Sequence, residues 1–166
     1  MSDKSMHRSV SKTLILCENA GNIIEYTRIM NELGFFSLTL CTNVKEALSL
    51  VREGRSFDYM VYDDFSYGVQ GCMELKELGG EIQHIILLAD VTEARQLSML
   101  RWAWLNKVPL LGLLPRPINI YQLENLMSFH HRVRDVDASC CRATAMPSTI
   151  PLSVQGEREF RLDGPL

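Results

Sequence analysis

The chain has 166 residues, 46% of them apolar and 22% charged, which is enough for one domain with a real core. A formal net charge of -3 and the lack of a Lys/Arg cluster argue against an electrostatic grip on nucleic acid or an anionic membrane, because phosphate binding takes concentrated positive charge. No apolar run approaches the ~20 residues of a membrane span, and the opening Met1–Lys12 is polar rather than a signal core, so a cytoplasmic protein is expected.

From Thr13 to about Arg134, short apolar runs alternate with amphipathic stretches, the pattern of βα units around a parallel sheet. Thr13–Cys17 reads as the first strand. Asn22 and Glu25 have capping-box spacing, and Ile23, Tyr26, Met30 and Leu33 recur at helical intervals until Gly34 stops the helix. Phe36–Cys41 reads as the second strand. Asn43 with Glu46 repeats the capping box, Val44, Ala47, Leu48 and Val51 form one helical face, and Gly54 ends it. Asp58–Tyr62 is the third strand and Cys72–Leu78 a short third helix. Gly79 and Gly80 then lead to His84–Leu88, an unalternated apolar strand of the kind buried on both faces. Thr92 caps a fourth helix to about Leu105, although Leu100, Trp102 and Trp104 alternate at period two. Pro109–Leu114 is the fifth strand. Pro115 and Pro117 forbid regular continuation, and Asn119 with Gln122 caps a last helix carrying Ile120, Leu123 and Met127. The expected fold is α/β: a five-stranded, doubly wound parallel sheet, (βα)5. Residues 1–10 are expected to be a disordered start, 11–135 the domain, and 136–166 a linker or extended tail.

The chemistry centres on Asp63, which closes the run Phe57–Asp63 and is followed eight residues later by Gly71. A buried strand ending in a carboxylate delivers an acid to the carboxyl edge of the sheet, where open α/β folds place their sites. The structural alternative is a strand-end acid that pairs with Arg116 or caps the third helix. Asp64 reads as a solvated loop acid. For Glu18 and Asn19, hydrogen bonding at a helix start competes with ion binding. Enzyme readings find little support: Cys17–Asn22 matches neither a P-loop nor a dinucleotide fingerprint, and no Ser/His/Asp or Cys/His arrangement has motif context. The odd number of cysteines, Cys17, Cys41, Cys72, Cys140 and Cys141, points to reduced thiols, with Cys17 and Cys41 as packing residues. His130, His131, Cys140 and Cys141 do not have zinc-ligand spacing.

Five βα units, an acid after strand one, an aspartate ending strand three and a basic residue before proline after strand five together resemble the response-regulator receiver domain (CheY-like), over Ser11–Arg132. The resemblance implies that two acids after strand one and the strand-three aspartate hold Mg²⁺, which shields the aspartate as it accepts a phosphoryl group. By this alignment the pair falls on Glu18 and Asn19, with Asp63 as phosphoacceptor candidate. An amide at Asn19 weakens the implied metal site. The switch hydroxyl position falls on Ala89, beside Asp90, which would repel a phosphate if it pointed inward. The switch aromatic falls on Leu113, and the usual lysine on Arg116, a planar fork rather than a compact ammonium.

Four positions, Asn19, Ala89, Leu113 and Arg116, thus depart from the pattern, while Glu18 and Asp63 remain. The implied function is a regulatory receiver-like module of a bacterial-type signalling protein with impaired or absent phosphorylation, acting through protein–protein contacts and not as an enzyme. A still-phosphorylatable receiver and a flavodoxin-like small-molecule or metal-binding enzyme are the alternatives. Implied partners are signalling proteins or a downstream effector domain. A homodimer through helix four, strand five and helix five is expected, with Trp102, Trp104 and Tyr121 at the interface.

Overall fold

The computed structural model describes residues 10–63 and 65–128. Five strands, β1 (Lys12–Leu16), β2 (Ser37–Cys41), β3 (Phe57–Asp63), β4 (Ile82–Leu88) and β5 (Leu110–Leu114), form one parallel sheet in the order β2-β1-β3-β4-β5. Between them run α1 (Ala20–Glu32), α2 (Val44–Arg52), α3 (Val69–Leu78) and α4 (Glu93–Leu105), and residues 120–128 form α5. The doubly wound (βα)5 arrangement is the one expected from the alternation.

Each strand divides its side chains between two cores. Leu14, Leu16, Met60, Tyr62, Ile85 and Leu87 pack against α2, α3 and α4, through residues such as Leu48, Leu75 and Met99. Ile15, Cys17, Tyr59, Val61, Ile86 and Leu88 point the other way, onto Tyr26, Ile29 and Met30 of α1 and Leu123 and Met127 of α5. Burial on both faces explains why β3 and β4 read as continuous apolar runs.

Helix starts follow local hydrogen-bond chemistry. Asn43 Oδ1 accepts from Glu46 N–H at 2.9 Å while Glu46 Oε2 accepts from Thr42 N–H at 3.0 Å, so the α2 capping box reaches back one residue further than its sequence pattern implies. Thr92 caps α4 and Asn119 caps α5, as expected. At α1 the capping box expected at Asn22 and Glu25 is absent. Asn19 is the cap, accepting from Gly21 and Asn22 N–H at 2.9 and 3.3 Å, and Asn22 lies inside the first turn. Gly34 and Gly54 follow α1 and α2 with φ of 88° and 83°, the left-handed backbone that favours glycine.

The start of α3 also differs from the sequence reading. α3 begins at Val69 rather than Cys72, behind Gly68, which offers no side chain to cap it. The loop before it doubles back so closely that a Cβ on Gly71 would lie 2.1 Å from the Ser66 carbonyl oxygen. α4 stays helical to Leu105 despite the alternation at Leu100, Trp102 and Trp104, because Met99 and Ala103 supply the buried helical stripe. The expected disordered start lies almost wholly outside the described residues. Asp64, His130, His131, Cys140, Cys141 and the tail 136–166 lie wholly outside them. Among the described residues no helix is long and apolar enough to cross a membrane.

Candidate functional site

β1 and β3 run in parallel with Leu16 beside Tyr62, so the next residues, Cys17 and Asp63, emerge side by side at the carboxyl edge of the sheet. Strand parity turns both toward α1. Asp63 is only 1% exposed, and a buried carboxylate requires partners. Its Oδ2 accepts from Tyr26 Oη–H at 2.6 Å and Asn22 Nδ2–H at 3.2 Å, and the Cys17 thiol lies 3.5 Å away. Its Oδ1 accepts from Arg116 at 3.2 Å.

α1 supplies two of these donors because Asn22 and Tyr26 are four residues apart and share one helix face. The 2.6 Å contact is in the range of charge-assisted O–H···O bonds. Burial first, and then the hydrogen bond and charge of Asp63, hold the Tyr26 phenol well above the usual tyrosine range. It therefore stays a neutral donor. Arg116 comes from the loop after β5, where the Arg116–Pro117 peptide is cis, and supplies the opposite charge.

The residues named from the sequence take different places around this pocket. Asp63 and Arg116 meet directly, one of the two structural alternatives for Asp63. Ala89 and Leu113 are buried at the ends of β4 and β5, and Ala89 presents only a methyl group. Asp90 turns to Arg116 rather than into the pocket, accepting from the Arg116 N–H at 3.0 Å and lying 3.6 Å from its Nε. Glu18 is exposed and Asn19 is occupied as the cap of α1. The side chain at the end of β1 that faces Asp63 is Cys17, because side chains alternate and residue 17 shares parity with Ile15.

That placement also decides how well the site suits Mg²⁺. A hard cation requires several oxygen ligands, preferably charged. The pocket holds one carboxylate, a thiol, an amide, a phenol and a guanidinium, and among the described residues no group of three or more His, Cys, Asp or Glu could hold a metal ion. The donor set does not fit Mg²⁺. Cys17, Asn22 and Tyr26 escaped the sequence reading of the site. Extending the β1/β3 register by one residue, and then noting the i, i+4 polar pair on α1, would have located them.

Trp104 and Tyr121 are exposed, at 78% and 74%. Trp102 is half-buried against the core beneath α4, so it packs inward rather than standing with Trp104 on the surface.

No protein-family model matches the chain, and no curated protein matches it. Solved structures do resemble it. A putative pilus assembly-related protein from Burkholderia pseudomallei superimposes with a TM-score of 0.58 at 14% identity, over 73% of this chain and 89% of that one. A response regulator from Colwellia psychrerythraea gives 0.58 at 15% identity, over 75% and 99%. A response regulator from B. pseudomallei, whose structure holds a phosphorylated aspartic acid and a calcium ion, gives 0.56 at 14% identity, over 82% and 77%. The chain therefore has the receiver, or CheY-like, fold.

Proposed function

We propose that this chain is a regulatory receiver-like module of a signal-transduction protein that works through protein–protein contacts rather than a phosphorylation cycle. The observation that carries the reading is the closure of Asp63: both carboxylate oxygens are engaged, and the side chain is out of solvent. A phosphoryl acceptor must offer a free oxygen in line with the donor and have positive charge ready for the oxygens being transferred. Here Arg116 neutralises Asp63 itself, Cys17 stands where a second acid is needed to hold a metal, and Ala89 has no hydroxyl to donate. Mg²⁺ binding is correspondingly weak. Similarity to response regulators supports the signalling role, and a receiver module acts on partner proteins or an attached effector domain without catalysis on a separate substrate.

Output passes through the face formed by α4, β5 and α5, where exposed Trp104 and Tyr121 stand with Leu97 and Leu105. A homodimer through this face is part of the proposal. Incubation with acetyl phosphate and Mg²⁺, read by intact mass, should leave the protein unmodified. Stoichiometric addition of a phosphoryl group, abolished by Asp63→Asn, would instead establish an atypical but working receiver.

A further inference from the structure

The geometry points to Arg116 as a positioning residue that couples the Asp63 pocket to the start of α4. Its guanidinium donates to Asp63 Oδ1 at 3.2 Å, its Nε lies 3.6 Å from Asp90 Oδ2, and its backbone N–H donates to Asp90 Oδ1 at 3.0 Å. One planar cation is thus shared between the end of β3 and the segment that joins β4 to α4. A compact ammonium does not offer that fork.

Asp90 occupies a mechanically sensitive place. Before it, Ala89 N–H is tied to the Leu114 carbonyl at 2.9 Å; after it, the Thr92 hydroxyl caps α4 through Arg95 N–H at 3.4 Å. The Asp90 side chain therefore ties the segment between β4 and α4 to the loop after β5. Val91, Thr92, Gln96 and Leu113 line an open cleft of about 570 Å³ beside this segment, which leaves it room to move.

The Arg116 and Asp90 side chains are 38% and 59% exposed, and an exposed ion pair alone holds little. Buried Asp63 changes that by fixing the guanidinium in advance, so that less side-chain freedom is lost when Asp90 pairs with it. A change at Asp63 consequently reaches the first turn of α4, the helix that presents Leu97, Trp104 and Leu105 to solvent. This coupling goes beyond the proposed function, since it holds whether or not that face binds a partner.

Amide hydrogen exchange on the full chain tests it. Arg116→Gln should speed exchange of the Arg95 and Gln96 amides, which bond to Thr92, about tenfold, the opening expected on losing a hydrogen bond to a charged group. Asp63→Asn should speed the same amides in the wild-type background but change them less than about twofold when Arg116→Gln is already present, because coupled sites are non-additive. Equal effects of Asp63→Asn in both backgrounds, or none in either, would overturn the coupling. Should Asp63→Asn lose the fold, the exposed pair carries the test. Asp90→Asn combined with Arg116→Gln should match the single variants, and additive effects would overturn the bridge.

Discussion

Cys17→Asp should make stability depend on Mg²⁺, a dependence the proposed function does not expect of the wild type. The Cys17 sulfur lies 3.5 Å from Asp63 Oδ2, and two unit charges about 4 Å apart repel by about 4 kcal/mol at an effective dielectric constant near 20. Arg116 already faces two carboxylates, Asp63 and Asp90, and leaves no charge to balance a third. In EDTA the variant should therefore lose roughly 2–4 kcal/mol, a large part of the stability of a single domain. Millimolar Mg²⁺ then meets two charged oxygen ligands and recovers most of the loss, because a ligand bound only by the folded state stabilises it. Urea unfolding with Mg²⁺ or EDTA reads both effects. Asn19→Asp is the control: it adds the same charge two residues later, on a side chain that caps α1 and does not face Asp63, and aspartate caps as well as asparagine. Its stability should not respond to Mg²⁺. If Asn19→Asp responds as strongly as Cys17→Asp, or Cys17→Asp does not respond, the assignment of Cys17 to the metal-facing position is wrong.

Tyr26→Phe removes the 2.6 Å bond to Asp63 and should cost about 1.5–3 kcal/mol in urea unfolding at pH 7, the usual worth of a hydrogen bond to a charged group. The same phenol sets a pH signature: its folded pKa is raised above the ordinary 10.0, so its contribution is complete below that pH and falls as pH rises beyond it, when the unfolded chain ionises first. Stability measured at pH 8 and pH 11 should fall more for wild type than for Tyr26→Phe. Gly71→Ala should destabilise by at least ~1–3 kcal/mol, the range for overpacking, since the added methyl meets the Ser66 backbone at 2.1 Å; a thermal melt unchanged from wild type would contradict the observed loop path. Trp104→Ala should leave the fold cooperative and abolish the proposed dimer in sedimentation, each such aromatic being worth ~2 kcal/mol or more at an interface. Strictly monomeric wild type at high concentration would remove that proposal.

How much was legible in the sequence differs between fold and site. Strand and helix identity follow from local periodicity, and the caps at Asn43, Thr92 and Asn119 follow from side chains that bond their own next turn. These are short-range effects, so they survive without knowledge of the tertiary structure. The failures at α1 and α3 share one cause. Asn22 has capping chemistry but bonds across the fold to Asp63 instead, and the α3 start depends on how the loop after β3 returns over Gly71.

Asp63 could be picked out from its strand-end position and charge, and Arg116 entered as one of two structural partners for it. What surrounds them could not, because it depends on register between strands far apart in the chain. A shift of one residue along β1 exchanges Cys17 for Glu18 and turns the side chain to the other face. The β1/β3 register, with Leu16 opposite Tyr62, places a thiol rather than a carboxylate beside Asp63. Helix phase does the same for Tyr26, whose hydrophobic spacing marked it as core and whose hydroxyl reaches the acid only once α1 is laid across the sheet. Local chemistry determined which residues could form a site, and packing across the sheet decided which of them meet.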